Sequence, residues 1–345
     1  MSNTYIKHLD KVNIQKIDRI LGDLPYYCQE FMASIQNTSS TLTRLNYAHD
    51  LRLFFYYLTN ELHMRDSMNK ITCGDLSQLR FQDFEIYLNW LTIYVIDGKE
   101  SRNSVSGKNR KLASLRSFFK FLYKCEYVPS VELSKVETPK IHEKEIVRLE
   151  EDEVSLLLRE VECPQGFSDS NTKYIKNMCE RDLAIMYMFL TTGIRISELV
   201  GLDLDDINFK ENAFKVIRKG GNSSILYFPN QTRFVLLDYL NVRKGIQTLK
   251  GHENALFLST QRRRISVRAV ENLVEKYTKN VVGLKKISPH KLRSTFGTNL
   301  YRKTKDIYIV ATMLGHKDVN TTKKHYAAIS EDIKKEVASD IKLKK

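Results

Sequence analysis

Apolar residues recur every three to four positions through most of this 345-residue chain, a spacing typical of helices with one buried face. The clearest run covers residues 106–125, where Leu112, Leu115 and Phe119 lie on one stripe. Alternation of the kind found in strands is confined to residues 206–230, whose turn residues predict three short antiparallel strands. The chain is therefore expected to be mainly α-helical, with a small sheet in its second half.

The first 128 residues predict a helical domain. Its expected helices are residues 12–35 with a break near Gly22 and Pro25, a helix after residues 37–41, residues 76–96, and residues 106–125. Residues 129–149 hold two prolines and no apolar period, as is typical of a linker between domains. We therefore expect domains at 1–128, with an extension at 1–22, and at 150–345.

Positive charge is in excess, since 55 Lys and Arg face 41 Asp and Glu, giving a net charge of +14. Such an excess favours a polyanionic partner, most commonly nucleic acid. Residues 101–125 contain seven Lys or Arg and no acid, which is compatible with either a solvated face or a DNA contact. The candidate DNA contacts are Arg44, Arg110, Arg116, Lys120, Lys124, Arg262, Arg263 and Arg264.

Several other classes of protein are disfavoured. The sequence has no run of about 20 apolar residues, as a membrane helix would need. The N-terminus lacks the apolar core of a signal peptide, so a cytoplasmic protein is expected, associated with the nucleoid if its polyanionic partner is DNA. The five cysteines form no CxxC pair, no acidic cluster has metal-ligand spacing, and no GxxxxGK[ST] loop is present. We therefore expect no metal and no other cofactor.

Four short stretches concentrate side chains that could act on a phosphate: TTGIRISEL, VIRKGG, SPHKLRSTF and LGHKDVNTTKKHY. Their candidates are Arg195, Glu198, Lys219, His290, Arg293, His316 and Tyr326. Taken singly, each has an ordinary structural explanation, such as a surface ion pair, a hairpin tip, a helix start or a core tyrosine. Taken together, they supply donors for the charge of a phosphate under attack, a nucleophile and a possible proton donor.

The order and spacing of these stretches resemble those of the tyrosine recombinases, also called phage-type integrases, and are similar to Xer-like bacterial recombinases. The resemblance covers residues 150–330, and it extends to TLTRLNYAHDLRLFFYYL and NRKLASLRSFFKFL in the first domain. It implies an all-α core-DNA-binding domain followed by an α+β catalytic domain with a small antiparallel sheet. The two domains would form a clamp around DNA.

The resemblance also assigns roles to the candidates. Arg195 and Arg293 would hold the scissile phosphate, and Glu198 would orient Arg195. Lys219 would protonate the leaving 5′ oxygen. His290 and His316 would assist at the phosphate, and Tyr326 would be the nucleophile that forms a 3′-phosphotyrosyl bond.

The implied function is site-specific DNA recombination through a four-way junction, without a cofactor. The partners would be double-stranded DNA with an inverted-repeat core site and further copies of the chain, as a tetramer on two sites. Two alternatives remain open, a DNA-relaxing enzyme like the type IB topoisomerases and a non-catalytic DNA-binding regulator. An amphipathic tail helix is expected at about residues 330–343. Residues 162–180 exceed the shorter members of the family, and the polar stretch 163–180 is expected to be a loop.

Overall fold

The computed structural model describes residues 4–140, 147–162, 172–218, 222–283, 285–315 and 318–319. By internal contacts the chain divides into two compact units, Met1–Lys144 and Glu145–Lys345. The mainly helical fold expected from the apolar periodicity is confirmed in the described residues.

Helices build most of the first unit. They are α1 (Thr4–Leu21), α2 (Tyr26–Ser34), α3 (Thr41–Asn60), α4 (Cys73–Ser77), α5 (Phe81–Trp90) and α6 (Val105–Lys124). The expected break at Gly22 and Pro25 is confirmed, although α1 begins eight residues earlier than expected. Helix α6 starts where the hydroxyl of Ser104 accepts a hydrogen bond from the Gly107 N–H (3.2 Å). The predicted stripe of α6 is buried in an aromatic-rich core.

A hairpin replaces the last turn of one predicted helix. The single helix expected over residues 76–96 is wrong at both ends, because α4 ends at Ser77 and α5 covers only Phe81–Trp90. Strand β1 (Ile93–Ile96) then pairs antiparallel with β2 (Lys99–Arg102). Asp97 and Gly98 form the turn with φ of +51° and +73°. Two positive φ angles suit the twist of a two-residue hairpin, and an Asp-Gly pair favours them. The first unit is thus not entirely α-helical.

The segment after α6 packs onto the first unit. Val128, Leu133 and Val136 are buried in the core of that unit, and residues Glu132–Lys135 form a short 3-10 turn. The first part of the predicted linker therefore contributes to the core.

Three strands and seven helices are described in the second unit. Strands β3 (Ile207–Asn208), β4 (Ala213–Ile217) and β5 (Ser223–Tyr227) form the predicted antiparallel sheet in that order. The helices are α7 (Glu151–Glu162), α8 (Thr172–Thr192), α9 (Ile196–Gly201), α10 (Asn230–Lys244), α11 (Val267–Val281), α12 (Pro289–Thr304) and α13 (Ile307–Leu314).

One loop prediction in the second unit is wrong in part. Residues 163–180 were expected to be irregular because they are polar, but α8 already begins at Thr172. Residues 172–180 contain neither Gly nor Pro, and their polar side chains are compatible with a helix, so polarity alone is a weak loop signal. Residues 163–171 and the expected tail helix at 330–343 lie outside the described residues. A helix long and apolar enough to cross a bilayer is absent from the described part of the chain.

Candidate active site

The turn between α8 and α9 positions the first candidate pair. Arg195 is the residue that caps the N-terminus of α9, and its backbone N–H donates to Oε2 of Glu198 (3.0 Å). The other carboxylate oxygen, Oε1, accepts from Nη1 of Arg195 (2.9 Å). Glu198 therefore holds both the backbone and the side chain of Arg195, and its own side chain is only 4% exposed.

A glycine brings this turn against α12. Gly193 has a φ of +60°, and a Cβ atom there would lie 2.4 Å from Cδ1 of Phe296, which is on α12. Only a residue without a side chain fits this contact and this backbone conformation. The close approach lets the carbonyl of Gly193 accept a hydrogen bond from Nη1 of Arg293.

Helix α12 carries the second candidate pair. Pro289 is its first residue and Ser288 its N-cap, although no side-chain bond from Ser288 caps the helix. His290 is exposed near the start of the helix, and Arg293 lies almost one turn later. Arg293 is only 3% exposed, and its guanidinium also donates to the carbonyl of Leu314.

The end of α13 joins the two arginines. Nη2 of Arg195 donates to the carbonyl of Gly315 (2.9 Å), the residue after the Leu314 carbonyl that Arg293 binds. Gly315 ends α13 in the left-handed conformation, with a φ of +59°. Two arginines 98 positions apart in the sequence therefore meet at consecutive carbonyls.

A third arginine in this cluster was missed by the sequence analysis. Arg218 follows β4 and precedes Lys219, and its Nη1 lies 3.5 Å from Oε1 of Glu198. The same guanidinium donates to the carbonyls of Leu314 and Met313 (both 3.3 Å). Burial lowers the pKa of Arg218, and the charge of Glu198 opposes that shift. Its only sequence signal was its place beside Lys219 in the VIRKGG stretch.

This arrangement suits an anion. Arginine stays charged at any physiological pH, and its planar group binds two oxygens of a phosphate at once. Lys219, His316 and Tyr326 lie outside the described residues, so their predicted roles stay predictions. Among the described residues no group of three or more His, Cys, Asp or Glu could hold a metal ion.

The predicted DNA contacts of the first unit differ in their surroundings. The guanidinium of Arg110 donates two hydrogen bonds to the buried carboxylate of Asp50 (2.6 and 2.7 Å). Arg116 donates to the Val136 carbonyl and the Thr138 hydroxyl (2.5 and 2.8 Å). Arg44 is half-buried, and its Nε has no hydrogen-bond partner among the described residues. Lys120 and Lys124 are exposed.

The three arginines at 262–264 also differ, since two are exposed and one is paired within the protein. Arg262 and Arg263 are exposed. Arg264 forms an ion pair with Asp203 and donates to the carbonyls of Val200 and Leu202 (3.1 and 2.8 Å). The predicted contact with DNA therefore fits Arg262 and Arg263 better than Arg264.

Residues 148–332 match the model of the phage integrase family. The tyrosine recombinase XerC of Caldanaerobacter subterraneus subsp. tengcongensis is 34% identical over 330 residues, which cover 92% of this chain and 85% of that protein. The tyrosine recombinase XerS of Streptococcus mutans serotype c is 29% identical over 351 residues, which cover 93% of this chain and 97% of that protein.

Two solved structures share the fold. One is the XerH site-specific recombinase bound to a palindromic difH substrate in a post-cleavage complex, with a TM-score of 0.65, 19% identity, and coverage of 94% of this chain and 88% of that chain. The other is a lambda integrase dimer bound to a COC′ core site, with a TM-score of 0.60, 17% identity, and coverage of 87% and 94%.

Proposed function

The chain belongs to the phage integrase family and is a site-specific tyrosine recombinase, and we propose that it cuts and rejoins DNA with Tyr326 as the nucleophile. Arg195, Arg293 and His290 would surround the scissile phosphate, together with His316 and Lys219. Glu198 would orient Arg195.

One observation carries this proposal. Arg195 and Arg293 come from separate helices, yet their guanidinium groups bind the consecutive carbonyls of Leu314 and Gly315. The next residue in the sequence is His316, another of the proposed phosphate ligands. Donors that are fixed before the reaction stabilise developing charge without a cost of reorganisation.

The chemistry follows from these groups. The phenolic oxygen of Tyr326 would attack the phosphorus and pass its proton to His290, and the bond from phosphorus to the 5′ oxygen would break. Lys219 would give a proton to that oxygen, leaving a 5′-hydroxyl and a 3′-phosphotyrosyl bond. A 5′-hydroxyl from the partner duplex would then attack the phosphotyrosine and release Tyr326. The phosphate ester bond is exchanged rather than lost, so no cofactor is required.

The proposed substrate is double-stranded DNA with an inverted-repeat core site. The XerH complex named above was solved with a palindromic site, and this supports the same class of substrate here. Residues 1–128 and 150–345 would clamp the duplex, and four copies on two sites would pass through a four-way junction. Exposed Lys120, Lys124, Arg262 and Arg263 would bind backbone phosphates. The protein would then work on the nucleoid, within the cytoplasm.

The test is a covalent trapping experiment. Fragments of the source genome that the protein binds would identify the site. A duplex of that site with a nick beside the cleavage position would then trap the intermediate, because the short fragment that carries the freed 5′-hydroxyl diffuses away and cannot reverse the reaction. We expect a protein–DNA adduct on denaturing gels with chelator present. Tyr326→Phe should form none, whereas Tyr308→Phe, which changes an exposed tyrosine (68%), should form it normally. An adduct that persists in Tyr326→Phe, or no adduct with the unmodified chain, would overturn the proposal.

A further inference from the structure

We propose that Arg218 is a positioning residue that neutralises Glu198, so that Arg195 keeps a net positive charge for the scissile phosphate. This inference rests on the proposed function, because it assumes that Arg195 binds that phosphate. Arg218 would act through Glu198 and the end of α13 rather than by touching DNA.

The first step is the sharing of one oxygen. Oε1 of Glu198 lies 2.9 Å from Nη1 of Arg195 and 3.5 Å from Nη1 of Arg218. With Arg195 alone, the carboxylate would cancel the charge of the group that should attract the phosphate. With Arg218 added, one carboxylate faces two guanidinium groups, and these three side chains together keep one positive charge.

The second step is burial. The side chains of Glu198 and Arg218 are only 4% and 11% exposed, whereas that of Arg195 is 30% exposed. Water and salt screen buried charges poorly, so the balance of charge beneath Arg195 acts strongly on an anion above it. Of these two arginines, Arg195 is therefore the more accessible to an anion, and Arg218 is largely covered.

The third step is the end of α13. Arg218 donates to the carbonyls of Met313 and Leu314 (both 3.3 Å), which are among the last carbonyls of that helix. Cations are favourable at a helix C-terminus, where these groups lack partners within the helix. The same guanidinium therefore contacts both Glu198 and the end of α13, where the Leu314 carbonyl also accepts from Arg293 and the Gly315 carbonyl accepts from Arg195.

The experiment compares cleavage of two substrates by the full-length chain. One nicked duplex carries an ordinary phosphate at the cleavage position, and the other carries a methylphosphonate, which has no charge there. We expect Arg218→Gln to slow cleavage of the phosphate by about 10²-fold, in the range seen when a charge-stabilising donor is removed. The loss on the methylphosphonate should be much smaller, because an uncharged group gains little from net positive charge.

A double-mutant cycle tests the route through Glu198. Removing the carboxylate charge makes its neutralisation unnecessary, so Arg218→Gln should slow cleavage much less in the Glu198→Gln background than in the unmodified chain. Arg218→Lys keeps the charge and should recover much of the lost rate. Arg218→Lys loses the planar guanidinium, as Arg218→Gln does, but keeps the charge, so a recovered rate separates the loss of charge from a failure to fold.

Three results would overturn the inference. They are equal slowing by Arg218→Gln on both substrates, strictly additive losses in the double variant, and a normal rate for Arg218→Gln. Failure of the proposed function is a separate result, since the unmodified chain would then form no adduct, or Tyr326→Phe would form one.

Discussion

A Cβ atom on Gly315 would lie 2.7 Å from Cζ of Arg218, closer than a side-chain carbon can approach. The backbone of Gly315 also has a φ of +59°, which disfavours any residue with a side chain. Gly315 is thus required both by the end of α13 and by the position of Arg218. Its carbonyl in turn accepts a hydrogen bond from Arg195, so one small residue lies beside two arginines of the candidate site.

Gly315→Ala should therefore reduce both stability and cleavage. Gly251→Ala is the matched control, because Gly251 also has a positive φ (+87°) but would place its Cβ in open space. Both changes should cost about 1–2 kcal/mol for the unfavourable backbone. Only Gly315→Ala should also displace Arg218 and slow adduct formation. Thermal unfolding and trapping on nicked DNA measure the two effects, and equal cleavage by both variants would contradict the prediction.

Arg264 and its neighbours should respond oppositely to substitution. Arg264→Ala removes the partner of the largely buried Asp203 and of two carbonyls, so we expect a loss of about 3–5 kcal/mol in the free energy of unfolding. Its effect on the salt dependence of DNA binding should be small. Exposed Arg262→Ala or Arg263→Ala should leave stability unchanged and reduce the slope of log K against log salt by about 1. The reverse pattern would show that Arg264 is the DNA contact.

Asp50 should be essential to the first unit. It is buried, accepts two bonds from Arg110 and one from the Ser114 hydroxyl (2.6 Å), and lies 4.0 Å from the Lys111 ammonium. Asp50→Ala should destabilise this unit by about 3–5 kcal/mol, because the cations lose their counter-charge. The fluorescence of Trp90, the only tryptophan, reports unfolding in urea. Lys120→Ala, on the exposed face of the same helix as Arg110, should leave the urea midpoint unchanged.

Acid should weaken the first unit partly through Asp75. The Arg65 guanidinium holds the pKa of that carboxyl well below its ordinary value, and bonds from the Thr72 N–H and hydroxyl add to this effect. A depressed pKa contributes stability above the unfolded value of about 3.9 and loses it as the pH falls below that value. The stability advantage over Asp75→Asn should therefore be largest near pH 7 and shrink below about pH 4.

Arg65→Gln provides the second arm of this test, because it removes the largest cause of the shift and should raise the pKa of Asp75 towards its ordinary value. Its urea midpoint, followed through Trp90, should fall less steeply with acid than that of the unmodified chain. A constant gap between the unmodified chain and Asp75→Asn from pH 7 to pH 3 would contradict the assignment.

Local patterns in the sequence were enough to predict much of the fold. Helix α6 was predicted because its buried stripe repeats with the period of a helix, and β3 to β5 because alternation and turn residues coincide. The β1–β2 hairpin was missed because the apolar residues before Asp97 and Gly98 also fit the end of a helix. The strand signal there was the β-branched run together with the Asp-Gly pair.

Contacts between distant residues could not be read from spacing. Arg218 reaches carbonyls 95 and 96 positions away, and Arg110 reaches a carboxylate 60 positions away. In the sequence each is simply one more basic residue. Arg195 and Arg293 were candidates because of the short stretches that hold them, and the resemblance to a family gave them roles. Their meeting at Leu314 and Gly315 became visible only in the folded chain.

The N-terminal edge of the second unit is fastened to the helix that carries His290 and Arg293. The Leu149 N–H donates to the Thr295 hydroxyl (3.0 Å), and Glu150 pairs with Arg302 (3.0 Å). A shortened protein intended to retain strand-cutting chemistry should therefore keep Leu149 and Glu150. Trimming one or two residues further would remove the contacts of Leu149 and Glu150 with α12. Loss of activity in such a fragment would then reflect the position of the cut rather than the absence of the first unit.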